Sequence, residues 1–244
     1  MEIHHTESDG FLTDAYLIDD GAGTGVLIDG NGVGAPLLEI ARDRGLTLAA
    51  LLLTHSHPDH VMIDDYRGLG IPIIAHADCA ADLTDIKVDR TVEDGEHLHF
   101  GQLDIECLLT PGHVAGHLAF LVNDSDVFTA DVLFRDTVGG TRGPGATGLA
   151  DLRASLRRLA VLPPETRVHP GHREATTIGR ELQENVFLRA LLADAAPAGE
   201  PCRVGGEAAT LLLWGPDYDG THKAWVRMAD GTEHMTGGSQ VQRS

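Results

Sequence analysis

The strongest constraint on the fold of this chain is a cluster of potential metal ligands that directly follows an apolar segment. Residues 49–53 are apolar, and residues 54–60 then read THSHPDH. Three imidazoles and a carboxylate in so few positions are hard to explain as core packing, whereas both groups bind zinc, iron or manganese. Four such ligands do not easily share one ion that keeps an open position. We therefore expect two pairs that begin separate metal sites, His55 with His57 and Asp59 with His60.

The charge of the chain narrows the class of partner. The 244 residues include 18 Lys and Arg against 37 Asp and Glu, which gives a net charge of −19 with histidine neutral. A surface this negative repels phosphate backbones and anionic lipid headgroups. We therefore expect a small-molecule substrate, and we expect neither a nucleic acid nor a membrane as a partner.

The cysteines indicate the compartment. Cys79, Cys107 and Cys202 are odd in number and widely spaced, and none belongs to a Cys-x-x-Cys pair. Neither a disulfide framework nor a thiolate zinc site is expected from this pattern, which is typical of a reducing compartment. The sequence has no readable signal peptide and no apolar run of membrane-spanning length. These features predict a cytoplasmic protein.

Strand-like and helix-like segments alternate along most of the chain. Helical periodicity predicts helices over residues 35–44, 149–162 and 174–192. Short apolar segments such as residues 48–53 and 103–109 predict strands between them. This alternation is typical of an α/β layered fold.

The composition changes near the C-terminus. Residues 193–201 are rich in Ala, Pro, Gly and Asp, as in a linker, and the segments after them are strand-like. We therefore predict a larger α/β domain over residues 1–192, a linker over 193–201, and a small all-β domain over 202–244. This appendage is expected to pack over the edge that carries the site, to mediate a homodimer, or to stiffen the C-terminus.

Three further segments end in metal-type residues. His113 lies in a Pro-Gly-His after the strand 103–109, and Asp131 ends an apolar strand. His172 lies in a second Pro-Gly-His after a short apolar strand. Each of these segments alone is weak evidence for a metal site, because such residues are common in turns. Together with the 54–60 cluster they predict a metal centre whose ligands are placed rigidly at strand ends.

The order of these motifs resembles the metallo-β-lactamase-fold hydrolases. The pattern is His-x-His-x-Asp-His, Pro-Gly-His, a strand-end Asp and a second Pro-Gly-His, and the resemblance covers residues 1–190. Residues 131–134 and 170–181 are similar to the glyoxalase II-like, or hydroxyacylglutathione hydrolase-like, branch. The resemblance implies an αββα sandwich with a bimetal site at one edge.

The resemblance also implies a role for each ligand. Two divalent ions are implied, with zinc first and iron or manganese as alternatives. The first ion would be bound by His55, His57 and His113, and the second by Asp59, His60 and His172, with Asp131 bridging the two. Asp29 matches a family position that orients a ligand from outside the site, and His117 has either that role or a structural one.

The chain departs from the family pattern at positions that bear on the substrate. Ala130 stands where the family usually has a glycine before the bridging Asp. The loop over residues 135–142 keeps its length but not its usual residues. The sequence shows no counterpart of the helical glutathione-binding domain of true glyoxalase II. The resemblance therefore does not imply that the substrate is a glutathione thioester.

The mechanism expected from these residues is hydrolysis of a small thioester or ester. Two metals lower the pKa of a shared water, and the resulting hydroxide attacks the acyl carbon. Asp131 and Asp59 are the predicted catalytic carboxylates, with Asp59 accepting the proton. Arg135 and Arg142 either grip a substrate carboxylate or form surface ion pairs.

Three alternatives remain open at this stage. The ligand set also suits a mononuclear-iron oxidoreductase that resembles the persulfide dioxygenases, with iron held by His55, His113 and Asp131 or a similar set. A lactonase would use the same hydrolytic chemistry. A non-catalytic metal-binding module is disfavoured, because a scaffold does not need all seven ligands.

Overall fold

The computed structural model describes residues 1–193 and 195–243. Asp194, in the predicted linker, and Ser244, in the predicted C-terminal domain, lie outside the described residues. The chain divides into two compact units by its internal contacts. The first unit comprises Met1–Leu109, Gly116–Ala130 and Gly171–Arg173, and the second comprises Thr110–Ala115, Asp131–Pro170 and Glu174–Ser244.

The first unit contains twelve strands and two α-helices among the described residues. The strands are β1 (Glu2–Glu7), β2 (Asp14–Asp19), β3 (Thr24–Ile28), β4 (Gly30–Asn31), β5 (Thr47–Leu52), β6 (Val61–Met62), β7 (Ile73–His76), β8 (Arg90–Val92), β9 (His97–Phe100), β10 (Leu103–Leu109), β11 (Leu118–Val122) and β12 (Asp126–Ala130). The helices are α1 (Ala35–Asp43) and α2 (Ala77–Asp82), with 3-10 turns at Pro58–His60 and Asp64–Tyr66.

Parallel pairing in the first sheet positions the ligand loop. The strand order is β1-β2-β3-β5-β7-β8, and β3, β5, β7 and β8 run parallel to one another, whereas β1, β2 and β3 pair antiparallel. Ile28 at the end of β3 pairs with Leu52 at the end of β5, and the Asp29 N–H donates to the Leu52 carbonyl. The carboxyl ends of these strands therefore meet at one edge, with Asp29 beside the histidine loop.

The first unit has an apolar core on each face of this sheet. Strands β9 to β12 run antiparallel in the order β12-β11-β10-β9. Their inward side chains pack against one face of the first sheet in a single cluster that includes Ile18, Val26, Leu52, Ile105, Phe120 and Phe128. The other face carries Leu17, Leu27 and Leu51, which pack with Leu37 of α1 and Cys79 of α2. Because alternate residues point to opposite faces, strands buried on both sides read as continuous apolar runs.

The second unit contains the remaining elements. They are β13 (Leu133–Phe134), β14 (Thr137–Val138), α3 (Leu149–Leu159), β15 (Arg167–Pro170), β16 (Thr176–Thr177), α4 (Ile178–Glu184), α5 (Val186–Leu192), β17 (Glu200–Val204), β18 (Glu207–Pro216), β19 (His222–Met228), β20 (Glu233–Gly237) and β21 (Val241–Arg243). The last five form an antiparallel sheet in the order β20-β19-β18-β17-β21 around their own apolar cluster. The predicted all-β appendage is therefore confirmed. The domain boundaries stay a prediction, and β17 itself begins at Glu200.

The predicted single helix over residues 174–192 is wrong. Thr176–Thr177 is a short strand, and two helices follow it. The Thr177 side chain accepts the N–H of Arg180 at the start of α4, and the Asn185 side chain accepts the N–H groups of Phe187 and Leu188 at the start of α5. Thr and Asn favour such capping positions over helix interiors, so each begins a new helix. The helix predicted to end at residue 162 ends at Leu159.

None of the helices in the described residues has the length and apolar character needed to span a membrane.

The three cysteines are buried and free. Cys79 and Cys107 pack in the two apolar clusters of the first unit, and Cys202 packs in that of the C-terminal sheet. Burial raises the pKa of the Cys79 thiol and of the Cys107 thiol to about 12 in each case. Burial also raises the pKa of Cys202. The thiolate is the reactive form of cysteine, so these three thiols are unreactive in the folded protein.

We predict that native protein at pH 8 resists alkylation by iodoacetamide. With a pKa near 12, only about one Cys79 or Cys107 thiol in ten thousand is ionised at that pH. Mass spectrometry should find these cysteines unmodified in the native protein and modified after unfolding in guanidinium chloride. Rapid native labelling of Cys79 or Cys107 would contradict the burial described above.

Candidate metal centre

One set of ligands lies wholly within the first unit. Asp59, His60 and His172 each offer a ligand atom, and these atoms lie within 4.8 Å of one another. The Nε2 atoms of His60 and His172 are both 3.7 Å from Oδ2 of Asp59. Two ligands of a tetrahedral ion with bonds of 2.0–2.1 Å lie roughly 3.3 Å apart, so small shifts would close this set on an ion. We call these three residues the second ligand group.

The four other predicted ligands divide between the two units. His55 and His57 lie in the first unit, and His113 and Asp131 lie in the second. His113 Nε2 is 3.4 Å from Asp131 Oδ2, and the rings of His55 and His57 have centroids 4.8 Å apart. We call these residues the first ligand group. The bridging role of Asp131 between two ions stays a prediction.

The two groups adjoin through neighbouring histidines of one loop. The ring centroids of His55 and His60 are 4.2 Å apart, and both side chains are fully buried. Pro58 opens the 3-10 turn that carries Asp59 and His60, where its fixed φ suits the first helical position. The tight turn therefore places the ligands of the second group directly after those of the first.

In three of the ligand histidines, Nδ1 lies within hydrogen-bond distance of a protein oxygen, which leaves Nε2 to face an ion. Nδ1 of His60 lies 2.8 Å from Oδ2 of Asp29, and Nδ1 of His172 lies 3.0 Å from the Phe11 carbonyl oxygen. Nδ1 of His113 lies 2.9 Å from the Gly140 carbonyl oxygen. Metal-bound histidines commonly make such an outer contact, which fixes the ring and presents the other nitrogen to the ion. The donor set and its orientation therefore fit a divalent metal.

Asp29 organises the start of the ligand loop, as the sequence predicted for a residue outside the ligand set. Its buried carboxylate accepts the Thr54 N–H and the Thr54 hydroxyl, both at 2.7 Å, besides facing His60. The Thr54 hydroxyl in turn lies 3.0 Å from Nδ1 of His55. Asp29 thus connects to a histidine of each ligand group. Thr54 was not identified from sequence, since a buried threonine at a strand end has no distinctive pattern.

The residue before Asp131 adopts a conformation that explains the family preference there. Ala130 has a φ of 37°, in the left-handed region where an L side chain is strained. Glycine avoids this strain, which costs about 1–2 kcal/mol for other residues. The substitution in this chain keeps the turn that directs Asp131, at some cost in stability.

The other residues singled out from sequence lie outside both groups. Arg135 is exposed with Nε 3.8 Å from the Asp136 carboxylate, and Arg142 is also exposed. His117 is fully buried, and its ring stacks on His55 with centroids 5.1 Å apart. His117 therefore contacts a ligand histidine without belonging to either group.

A third set of ligand-type residues has a different partner. Glu2, His4 and Asp19 also offer atoms within 4.8 Å of one another. The guanidinium of Arg44 lies 2.5 Å from Asp19 and 2.8 Å from Glu2, and it supplies a positive charge to both carboxylates. This set is an ion-pair network at the edge of the first sheet and not a second metal centre.

Gly139 is a sterically constrained position beside two predicted ligands, and the sequence did not reveal it. A Cβ built on Gly139 would clash with the carbonyl oxygen of Asp131 and would lie 3.6 Å from Cβ of His113. The Gly139 N–H also donates to the Val132 carbonyl, which keeps the two segments close. Only the adjacent glycine pair at 139–140 hinted at such a close approach. The bare backbone at Gly139 leaves room for two members of the first ligand group.

We predict that Gly139→Ala destabilises the protein and weakens metal binding by the first ligand group. The new methyl must displace backbone, which typically costs about 1–3 kcal/mol. Gly140→Ala is the matched control, because its nearest atom would be the Met235 carbonyl oxygen at 3.7 Å, an ordinary contact. Urea unfolding and metal content check both variants, and equal behaviour of the two would contradict the role of Gly139.

Comparisons with known proteins agree with this geometry. Residues 8–62 match the family model of the metallo-beta-lactamase superfamily. The human hydroxyacylglutathione hydrolase-like protein is 35% identical over 187 residues, which are 70% of this chain and 62% of that protein. The di-iron-bound structure of TTHA1623 is 37% identical with a TM-score of 0.64, over 75% of this chain and 99% of that one.

A third similarity concerns the structure of ETHE1 from Myxococcus xanthus. It is 29% identical with a TM-score of 0.68, over 77% of this chain and 84% of that one. Solved metallo-beta-lactamases share the same fold, so the predicted αββα class is confirmed, together with the resemblance to glyoxalase II-like proteins. The chain therefore belongs to the metallo-β-lactamase superfamily.

Proposed function

We propose that this protein is a metal-dependent hydrolase of a small thioester or ester. The observation that carries the proposal is the second ligand group, whose three metal-type side chains offer atoms within 4.8 Å of one another and lie beside His55. The similarity to the human hydroxyacylglutathione hydrolase-like protein supports an acyl substrate.

The protein's own residues have separable tasks in this reaction. When bound, two divalent ions supply a water that ionises near neutral pH and a Lewis acid for the acyl carbonyl. Asp131 would bind both ions, and Asp59 would accept the proton from the water. The water oxygen joins the acyl carbon, the carbon–sulfur or carbon–oxygen bond breaks, and the proton passes to the leaving group. Zinc is the proposed ion, and the di-iron-bound relative supports iron as the alternative.

We expect His57→Ala to lower thioester hydrolysis by at least about 100-fold, because the first ligand group loses a donor. Elemental analysis should show less bound metal, while circular dichroism shows a retained fold. His99→Ala is the control, since the His99 side chain is 71% exposed and belongs to neither group. Parental activity in the His57 variant would exclude the proposed mechanism.

A second candidate is a mononuclear-iron oxidation of a persulfide. The similarity to ETHE1 from Myxococcus xanthus favours this alternative. The two candidates differ in metal count and in co-substrate. One iron per chain with O₂ consumption on a persulfide supports the oxidoreductase, whereas two ions per chain with O₂-independent hydrolysis support the hydrolase. A panel of thioesters, lactones and persulfides assayed with and without O₂ separates them.

Arg135 and Arg142 are proposed to bind a carboxylate of the substrate. Their exposure leaves them accessible to a ligand, and a guanidinium can bind a carboxylate through two parallel hydrogen bonds. Charge-assisted hydrogen bonds contribute about 1.5–3 kcal/mol. We therefore expect Arg142→Ala to raise KM for acidic thioesters by roughly 10-fold or more. KM for neutral thioesters should stay unchanged. An equal effect on both substrate classes, or no effect, removes Arg142 from the substrate site.

The compartment and partners remain proposals of the same kind. We propose a cytoplasmic protein, which three free and buried cysteines support because reducing compartments keep thiols unpaired. The acidic net charge supports a small-molecule substrate over a nucleic acid or a membrane surface. The C-terminal sheet is proposed as the surface for a homodimer.

A further inference from the structure

We propose that Thr13 is a positioning residue that fixes the second ligand group and thereby sets whether this chain binds one ion or two. Thr13 lies in the segment between β1 and β2, far in sequence from the histidine loop. The inference deepens the proposed function and rests on it, because a two-ion hydrolase needs the second group intact.

The hydroxyl of Thr13 holds the ligand oxygen itself. Thr13 Oγ1 donates to Oδ2 of Asp59 at 2.8 Å. The same oxygen is the one that lies 3.7 Å from the Nε2 atoms of His60 and His172. The last side-chain torsion of an aspartate has only broad preferences of its own. The hydrogen bond therefore selects the rotation in which Asp59 faces the two histidines.

The same segment also holds His172. The Phe11 carbonyl oxygen lies 3.0 Å from Nδ1 of His172, and Thr13 and His172 form an isolated antiparallel β-bridge. The Asp14 N–H donates to the Gly171 carbonyl at 2.7 Å. Two of the three ligands in the second group thus receive their outer contacts from residues 11–14.

The segment is itself firmly placed. Thr13 is fully buried, and its N–H donates to the Ser8 hydroxyl at 3.1 Å. The Asn31 side-chain amide donates to the Thr13 carbonyl at 2.8 Å. Leu12 has a φ of 61°, a strained conformation that persists only where the surrounding contacts determine it. The position of Thr13 is therefore fixed by contacts of its own backbone with Ser8 and Asn31.

The first ligand group is supported from elsewhere in the chain. His55 contacts the Thr54 hydroxyl, and His113 contacts the Gly140 carbonyl. Apart from Asp29, which reaches a histidine of each group, the two groups therefore have separate outer supports. Loss of the Thr13 hydroxyl should weaken binding of one ion and leave binding of the other unchanged.

The test is a metal titration of the full-length, metal-depleted protein with Co²⁺, followed by absorption spectroscopy and elemental analysis. The parent protein should bind two ions. Thr13→Val keeps the shape of the side chain without the hydroxyl and should bind the second ion 10–100-fold more weakly, the usual effect of removing an outer contact of a ligand. Thr13→Ser should restore the second ion.

Thr166→Val is the matched control for the loss of a buried hydroxyl. Thr166 is 1% exposed, and its hydroxyl has no hydrogen-bond partner among the described residues. This variant should bind both ions with parental affinity. Thr13→Ala serves as a second hydroxyl deletion in case the valine methyl disturbs the fold.

Several outcomes would overturn the inference. They are parental affinity for both ions in Thr13→Val, an equal loss of both ions, and unfolding of both Thr13→Val and Thr13→Ala, which would make Thr13 a stability residue. A parent protein that binds only one ion would overturn it as well. Thioester hydrolysis is assayed separately. Selective loss of one ion without any hydrolysis in the parent would support the role of Thr13 and reject the proposed function.

Discussion

The buried carboxylate of Asp29 is the interaction on which the arrangement of the metal centre depends. Its oxygens accept the N–H and hydroxyl of Thr54 and face His60. A buried charge without such partners costs several kcal/mol, so the chain must keep the end of β3 and the ligand loop after β5 in contact. The parallel register that pairs Ile28 with Leu52 brings these two ends together. Sheet topology and polar burial thus impose the same loop conformation.

The two ligand groups are contacted from outside by largely different residues. Asp29 reaches a histidine of each group, directly at His60 and through Thr54 at His55. Beyond this shared residue, the segment around Thr13 contacts Asp59 and His172, and the Gly139–Gly140 backbone contacts Asp131 and His113. A change at Thr13 would therefore act mainly on the second ligand group, and a change at Gly139 mainly on the first.

Much of the site was predictable because its residue types are chemically distinctive. Histidine and aspartate at strand ends predicted seven ligands, of which Asp59, His60 and His172 lie together in the first unit. The apolar periodicity placed strands such as Leu103–Leu109 correctly. Positions that act through tertiary contact were not predictable. Thr13 and Gly139 resemble ordinary turn residues until a distant segment lies against them. The break at Asn185 was missed because the apolar pattern continues through it, while its side chain caps a new helix.

The central claim is that two ions bind, one in each ligand group. Anomalous X-ray diffraction from crystals of the metal-loaded protein, recorded at the absorption edge of the bound element, tests it most directly. The account predicts two peaks per chain, one among His55, His57 and His113 and one among Asp59, His60 and His172, with Asp131 in contact with both. A single peak confined to the first ligand group, or peaks away from these seven side chains, would contradict it.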